Sequence, residues 1–236
     1  MVDVELEGTV ARIFLNRPEK ANALNSAMLL ALADAVHSVE PSGPRVVVIA
    51  GRGRNFCGGA DVAELKALVP ATAGAFVEKI HQVCKAIRAL PVPVVARLHG
   101  AVIGAGLEIA AACDLRVAAD GTKFSMPEVK LGIPSVVEAA LLPRLMGSGR
   151  AAWLVLTGEP IDARRALEWG LVEEVASDAD LAAQRLVQTL LAASPKALRE
   201  QKRLLQLWDE APLATSVAAS IAAFSRTTIS STDGGQ

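Results

Sequence analysis

Two stretches of the chain are unbroken runs of β-branched and small apolar residues, and each ends in glycine. "RVVVIAG" (45–51) leads into "RGRNFCGGADVAEL", and "PVPVVARLHG" (91–100) leads into "AVIGAGLEIAAACD". A strand with one wet face alternates polar and apolar side chains. A run without alternation belongs to a strand covered on both faces. Such strands lie inside parallel sheets, whose neighbours are joined by crossover helices. The order strand, glycine turn, helix occurs twice, the second copy roughly 45–50 residues after the first. This predicts an α/β core with mostly parallel strands.

The rest of the chain is arranged around that core. Residues 2–5 and 10–16 alternate about Gly8 and predict a hairpin. "NRPEKANALN" reads as a polar loop, and Ser26 as the N-cap of a helix over 27–39. Residues 72–90 predict a long helix, and "DLRVAA" and "KFSM" predict short strands. From Val136 onward the pattern is nearly all helical, near 136–146, 149–156, 162–168, 178–193, 195–208 and 211–224. The expected organisation is a core over 1–135, a helical region over 136–225 and a loose tail over 226–236.

Composition excludes several classes of function. Hydrophobic residues make up 52% of the chain, which rules out disorder, and the formal net charge of −1 offers no basic field to nucleic acid or an anionic membrane. No window reaches the ~18 uninterrupted apolar residues of a membrane span. The start lacks a basic-then-apolar leader pattern. Cys57, Cys84 and Cys113 are odd in number and widely spaced, so they are expected to be reduced and buried, as suits a cytoplasmic protein. His37, His81 and His99 show no metal-ligand spacing, and no metal site is expected.

Residues 56–65 ("FCGGADVAEL") and 102–111 ("VIGAGLEIAA") share one logic. Small residues let the backbone turn sharply, and the helix that follows presents unpaired N–H groups at the positive end of its dipole. Two such turns facing one another set two backbone donors around one point. That is an oxyanion hole, able to hold a carbonyl oxygen as it becomes negative. A dinucleotide fingerprint is not met, because Ile109 stands where the third glycine is required. The second turn also carries Glu108 in a segment with no other charge before Asp114. A carboxylate there either complements the helix N-terminus or does proton chemistry.

The stretches "NRPEKANALN", "FCGGADVAEL", "GAVIGAGLEIAAACDLRVAAD" and "KFSMPEVKLGIP", in this order, resemble the enoyl-CoA hydratase/isomerase (crotonase) superfamily. The resemblance runs from about residue 3 to about residue 225. It implies a β-β-α spiral core, a helical C-terminal region that makes a homotrimer or a dimer of trimers, and an acyl-CoA thioester as ligand. Coenzyme A is then part of the substrate, and no separate cofactor is implied. Carried over by position, the oxyanion donors are the backbone N–H groups of Ala60 and Ala105. Glu108 and Glu128 occupy the places of the two glutamates with which hydratases hold a water. In that assignment Glu108 activates the water and Glu128 protonates the α-carbon. Lys20, Ala23, Ala60, Asp61 and Val62 lie where the family grips CoA, with Arg17 and Lys20 near its phosphates.

Both glutamates together favour a 2-enoyl-CoA hydratase. The family also holds double-bond isomerases, hydratase-lyases and non-catalytic CoA-binding or RNA-binding members, which remain alternatives. One departure is plain. After "LGIP" many hydratases continue with glycines and polar residues, whereas this chain reads "SVVEAALLPRLMG". Val136, Val137 and Glu138 are bulkier and would reshape the acyl end of the pocket. Glu138 is a third carboxylate near the chemistry; a solvated helix residue is the favoured reading, and binding of water or a polar acyl group is the alternative.

Overall fold

In the computed structural model, which describes residues 1–40 and 43–226, the hairpin is β1 (Val2–Glu7) and β2 (Val10–Leu15), with Val2 opposite Leu15. Helix α1 (Ser26–Val39) connects β2 to β3 (Val46–Gly51), the first buried run, which pairs with β2 in parallel. Helices α2 (Val62–Ala67) and α3 (Pro70–Ala89) lead to β4 (Val94–Leu98), the second buried run. Then come β5 (Ala101–Ile103), α4 (Ala105–Ala112), β6 (Leu115–Ala119) and β7 (Lys123–Ser125). The chain continues through α5 (Leu142–Met146), α6 (Ser148–Thr157), β8 (Ile161–Asp162), α7 (Ala163–Trp169), β9 (Glu174–Ala176) and α8 (Ala179–Ala192). The main sheet has the order β1-β2-β3-β4-β6-β9 and is parallel beyond the first hairpin. A second sheet has the order β5-β7-β8.

The unbroken apolar runs are explained by two cores, one on each face of the main sheet. Val47, Ile49, Val94 and Ala96 join the larger core, with Leu29 and Leu32 of α1 and Val83 and Ile87 of α3. Their neighbours Val46, Val48 and Val95 point the other way, to Ala182, Ala183 and Val187 of α8. Every residue of β3 is buried. Burial of each large side chain contributes about 1.5–3 kcal/mol.

Several expectations are corrected. The N-cap of α1 is Asn25, whose Oδ1 accepts from Met28 N–H at 2.9 Å. Ser26 is the first helical residue, and it bonds Glu64 and accepts from Lys79 Nζ at 2.8 Å. Strands β8 and β9 lie in the part read as helical; two or three residues are too few to show a period. The first compact unit runs from Met1 to Ala192, past the boundary expected at residue 135, because Leu142, Met146, Leu154 and Ile161 belong to the larger core.

The second unit starts at Ala193 and holds α9 (Pro195–Glu210) and α10 (Leu213–Ser225). Within it Trp208 Nε1 donates to Ser220 Oγ at 3.1 Å, and Leu213, Ile221 and Phe224 are exposed. The tail expected to be loose lies outside the described residues, apart from Arg226. Among the described residues no helix is long and apolar enough to cross a membrane.

The polar loop after β2 is fixed from inside by Asn22. Its side chain is fully buried, and Nδ2 donates to the carbonyls of Arg52 (3.0 Å), Asn55 (2.8 Å) and Phe56 (3.1 Å). Its Oδ1 accepts from Arg17 N–H at 2.8 Å. Its φ of +57° lies in the left-handed region, which asparagine tolerates better than most residues. Asn22→Ala strips the donor from three carbonyls and leaves alanine in that region. Urea unfolding is expected to show a loss of about 2–4 kcal/mol. A loss below ~0.5 kcal/mol would contradict this account.

Candidate active site

The two glycine-rich turns are joined by backbone. Cys57 N–H donates to Ala101 O and Ile103 N–H donates to Cys57 O, both at 3.0 Å, so residue 57 pairs with β5 like a strand. Leu24 is bridged to Ala60 in the same way, with Leu24 N–H on Gly59 O at 2.8 Å and Asp61 N–H on Leu24 O at 2.9 Å. The contact is tight: a Cβ on Gly106 would lie 2.6 Å from the Cys57 Cβ. Ala60 and Ala105 both line one cavity of about 310 Å³. Among the described residues neither of their N–H groups donates a backbone hydrogen bond. The N–H of Ala105 opens α4 and so has no partner inside the helix.

Glu108 and Glu128 line the same cavity. Glu108 lies in the first turn of α4, a helix in which all eight residues are buried, and it is only 4% exposed. Its Oε1 accepts from Ala139 N–H at 3.1 Å. Burial pushes its carboxyl up to about 8, the charges of Glu128 and Glu138 add to the rise, and the Ala139 N–H opposes it. Glu128 stands in the 3-10 turn Pro127–Leu131, where its Oε2 accepts from Ser135 Oγ at 2.9 Å. Burial raises it too, against its own backbone N–H and the Ser135 hydroxyl. Gly104, at φ +50°, has no room for a side chain, since a Cβ would run into Glu128 Oε1. The remaining wall is apolar apart from Lys130, and includes Phe76, Val77 and Ile80 from α3 with Ile133 and Val136.

The residues expected at a CoA site are distributed unevenly. Ala60 and Val62 line the cavity. Lys20 is exposed at the end of the turn Pro18–Lys20. Asp61 caps α2 through Ala63 N–H at 2.9 Å and forms an ion pair with Arg17 Nη1 at 2.6 Å. The Arg17 hydrogen bond holds the Asp61 carboxyl below its usual range. Arg17 also donates to Ala23 O at 3.1 Å, so the guanidinium expected near phosphates is engaged by the protein itself. The sequence reading missed Ser135 and Ala139 as partners of the two carboxyls.

Glu138 corrects the favoured reading of it as solvated. It is 7% exposed rather than solvated, and its Oε1 lies 2.7 Å from His81 Nδ1. Cys57, Cys84 and Cys113 are buried, as expected, and none forms a disulfide among the described residues. Among the described residues no cluster of histidine, cysteine and carboxylate groups could hold a metal ion.

The sequence model of one family, described as enoyl-CoA hydratase/isomerase, matches residues 5–234. The chain belongs to the enoyl-CoA hydratase/isomerase family. A short-chain-enoyl-CoA hydratase of Clostridium acetobutylicum is 33% identical over 94% of this chain and 87% of its own length. A crotonyl-CoA hydratase of Syntrophomonas wolfei is 38% identical over 75% of this chain and 70% of its own. The crystal structure of an enoyl-CoA hydratase from Thermoplasma volcanium superposes with a TM-score of 0.91 at 35% identity, covering 95% of this chain and 90% of that one. The crotonase-type fold expected from the sequence is therefore the fold of this enzyme.

A buried carboxyl in this family member has a cost that pH reveals. Glu108 titrates near 4.5 when exposed and near 8 in the fold, so between these values the folded state holds a proton that the unfolded chain has lost. Stability must then fall as pH rises through that window, by a few kcal/mol in all. Glu108→Gln cannot ionise, so its stability advantage over the wild type should grow from pH 5 to pH 8 in thermal or urea unfolding. A difference that stays constant with pH would refute the burial argument.

Proposed function

We propose that the protein is an enoyl-CoA hydratase that adds water across the double bond of a 2-enoyl-CoA thioester. The observation that carries this reading is the pair Glu108 and Glu128 on one cavity, beside the free N–H groups of Ala60 and Ala105. The two N–H groups donate to the thioester oxygen and stabilise the negative charge that develops as water attacks the β-carbon. One carboxyl takes a proton from the water while the other gives its proton to the α-carbon. The pair must therefore hold one proton between them. Burial raises both carboxyls, Glu108 to about 8, which favours keeping that proton in the pair. With Glu128 as the donor to carbon, Glu128 carries it while Glu108 takes the proton of the water. An isomerase needs only one shuttling carboxyl, whereas hydration uses two, and two are present.

The apolar wall of Phe76, Ile80, Ile133 and Val136 suits a hydrocarbon acyl group. The CoA moiety is proposed to lie along Lys20, Ala23, Ala60, Asp61 and Val62, mostly through backbone. A trimer or a dimer of trimers is proposed from the exposed apolar side chains Leu156 on α6 and Leu213, Ile221 and Phe224 on α10. Light scattering should give a mass three or six times that of one chain, and a monomer at micromolar concentration would reject this assembly.

The activity is tested by the loss of ultraviolet absorbance as crotonyl-CoA is hydrated. Glu128→Gln should lower turnover by ~10²–10⁴-fold with little change in acyl-CoA binding, because the backbone donors are untouched. Wild-type turnover should decline as pH passes about 8, where the last proton leaves the pair. Near-wild-type turnover of Glu128→Gln would reject the mechanism.

A further inference from the structure

The lining of the cavity has a dry part and a wet part, and the wet part is also apolar. Phe76 and Ile80 of α3 belong to the larger core. The segment that follows Glu128 is different. Leu131 lines the cavity yet is 57% exposed, and Ile133 and Val136 line it at 41% exposure each. Large apolar side chains grouped in water beside a ligand cavity form a patch that folding alone leaves uncovered. Val136 stays outside although its neighbours turn in. Val137, held at φ +43°, packs on the larger core, and Glu138 is buried. A β-branched residue persists at such a φ only where its surroundings over-determine it.

This segment is tied to the chemistry. Ile133 N–H donates to Glu128 O at 3.2 Å, and Ser135 Oγ donates to Glu128 Oε2 at 2.9 Å. Ile133 and Val136 therefore stand on either side of the residue that bonds the Glu128 carboxyl. In the proposed reaction the thioester oxygen is held at Ala60 and Ala105, with CoA along Ala60 to Val62. The acyl chain beyond the β-carbon then runs away from CoA, past the carboxyl pair and onto this segment. Lys130 also lines the cavity, but its Nζ is 2.8 Å from Glu159 Oε1. Its stem fills a notch at Gly158, where a Cβ would lie 3.2 Å from Lys130 Cε. What the wet part offers a substrate is hydrocarbon contact. A crotonyl group ends just beyond the β-carbon and leaves the patch in water, whereas an octenoyl group carries the further methylenes that cover it.

We propose that the substrate is a medium-chain or longer 2-enoyl-CoA whose hydrocarbon tail lies over Leu131, Ile133 and Val136, and that these side chains set the preference for chain length. The proposal rests on the acyl-CoA reading of the cavity and deepens it. Each methylene taken fully out of water contributes ~4-fold to binding, and ~2-fold where one side of the chain stays wet. The tail is far from the reacting carbons, so it binds equally in the ground state and the transition state. Its contribution belongs in KM rather than in kcat.

The test compares hydration of crotonyl-CoA and 2-octenoyl-CoA. The wild type should show kcat/KM ~10-fold or more higher for the octenoyl thioester, mainly through a lower KM. Leu131→Ser and Ile133→Ser change exposed side chains, and each should cut the octenoyl-to-crotonyl ratio by ~3-fold or more. Val129→Ser is the control: Val129 shares the turn with Leu131 and is 44% exposed, but it is not among the residues lining the cavity, so the ratio should stay as in the wild type. A merely structural role of Leu131 and Ile133 would lower both activities together and leave the ratio alone, which overturns the proposal. A smaller wild-type ratio also overturns it, as would follow if a second copy of the chain covered the patch in solution. Calorimetry with butanoyl-CoA and octanoyl-CoA keeps this proposal apart from the hydratase reading. If neither enoyl thioester is hydrated, yet octanoyl-CoA binds ~10-fold tighter and Leu131→Ser removes most of that gain, the hydratase reading fails and the tail site stands. If crotonyl-CoA is hydrated with no gain from a longer chain, the tail site fails and the hydratase reading stands.

Discussion

The site depends on a short backbone stitch. Cys57 and β5 exchange hydrogen bonds at 3.0 Å, and Phe56 N–H donates to His99 O at 2.8 Å. Without these bonds the turn after β3 and the turn after β4 would be two separate glycine-rich loops, each with an idle N–H. With them, two helix entries share one cavity. The glycine at 106 has a steric purpose here, because the Cys57 side chain occupies the space where its Cβ would be. Asn22 secures the outer side of the same junction by holding the carbonyls of residues 52, 55 and 56. Backbone pairing thus places the donors, and side chains merely keep the pairing from slipping.

The carboxyls oppose this order energetically. Glu108, Glu128 and Glu138 are all drawn in from water, and burial acts against the charge of Glu108 and Glu128. Ala139 N–H donates to Glu108, Glu128 accepts from the Ser135 hydroxyl and from its own backbone N–H, and Glu138 Oε1 meets His81 Nδ1. That is few donors for six oxygens. For Glu108 and Glu128 the result is a raised proton affinity, which is the condition that proton transfer near neutral pH requires.

Much of this was legible in the sequence. Runs with no alternation announced β3 and β4, because a strand buried on two faces leaves no other trace. The paired turns and Glu108 were visible because glycine and an isolated charge are both costly in apolar segments and therefore informative. The small second sheet was not legible, since strands of two or three residues carry no period. Glu138 was misread for a related reason. Among "SVVEAALL" it looks like a polar residue on an amphipathic helix, and only the left-handed turn at Val137 swings it inward. Nor could spacing reveal that Arg17 is engaged by Asp61, a partner 44 residues away.

The stitch has a chemical marker within it. The Cys57 thiol is fully buried, with its pKa pushed up to about 12 by that burial, and burial likewise holds the Cys84 thiol well above its ordinary range. In the closed fold neither sulfur is accessible or nucleophilic. Alkylation of Cys57 therefore requires the junction to part first. Its labelling rate in the native protein counts how often the junction of the two turns comes undone, and comparison with Cys84 separates that local opening from excursions of α3.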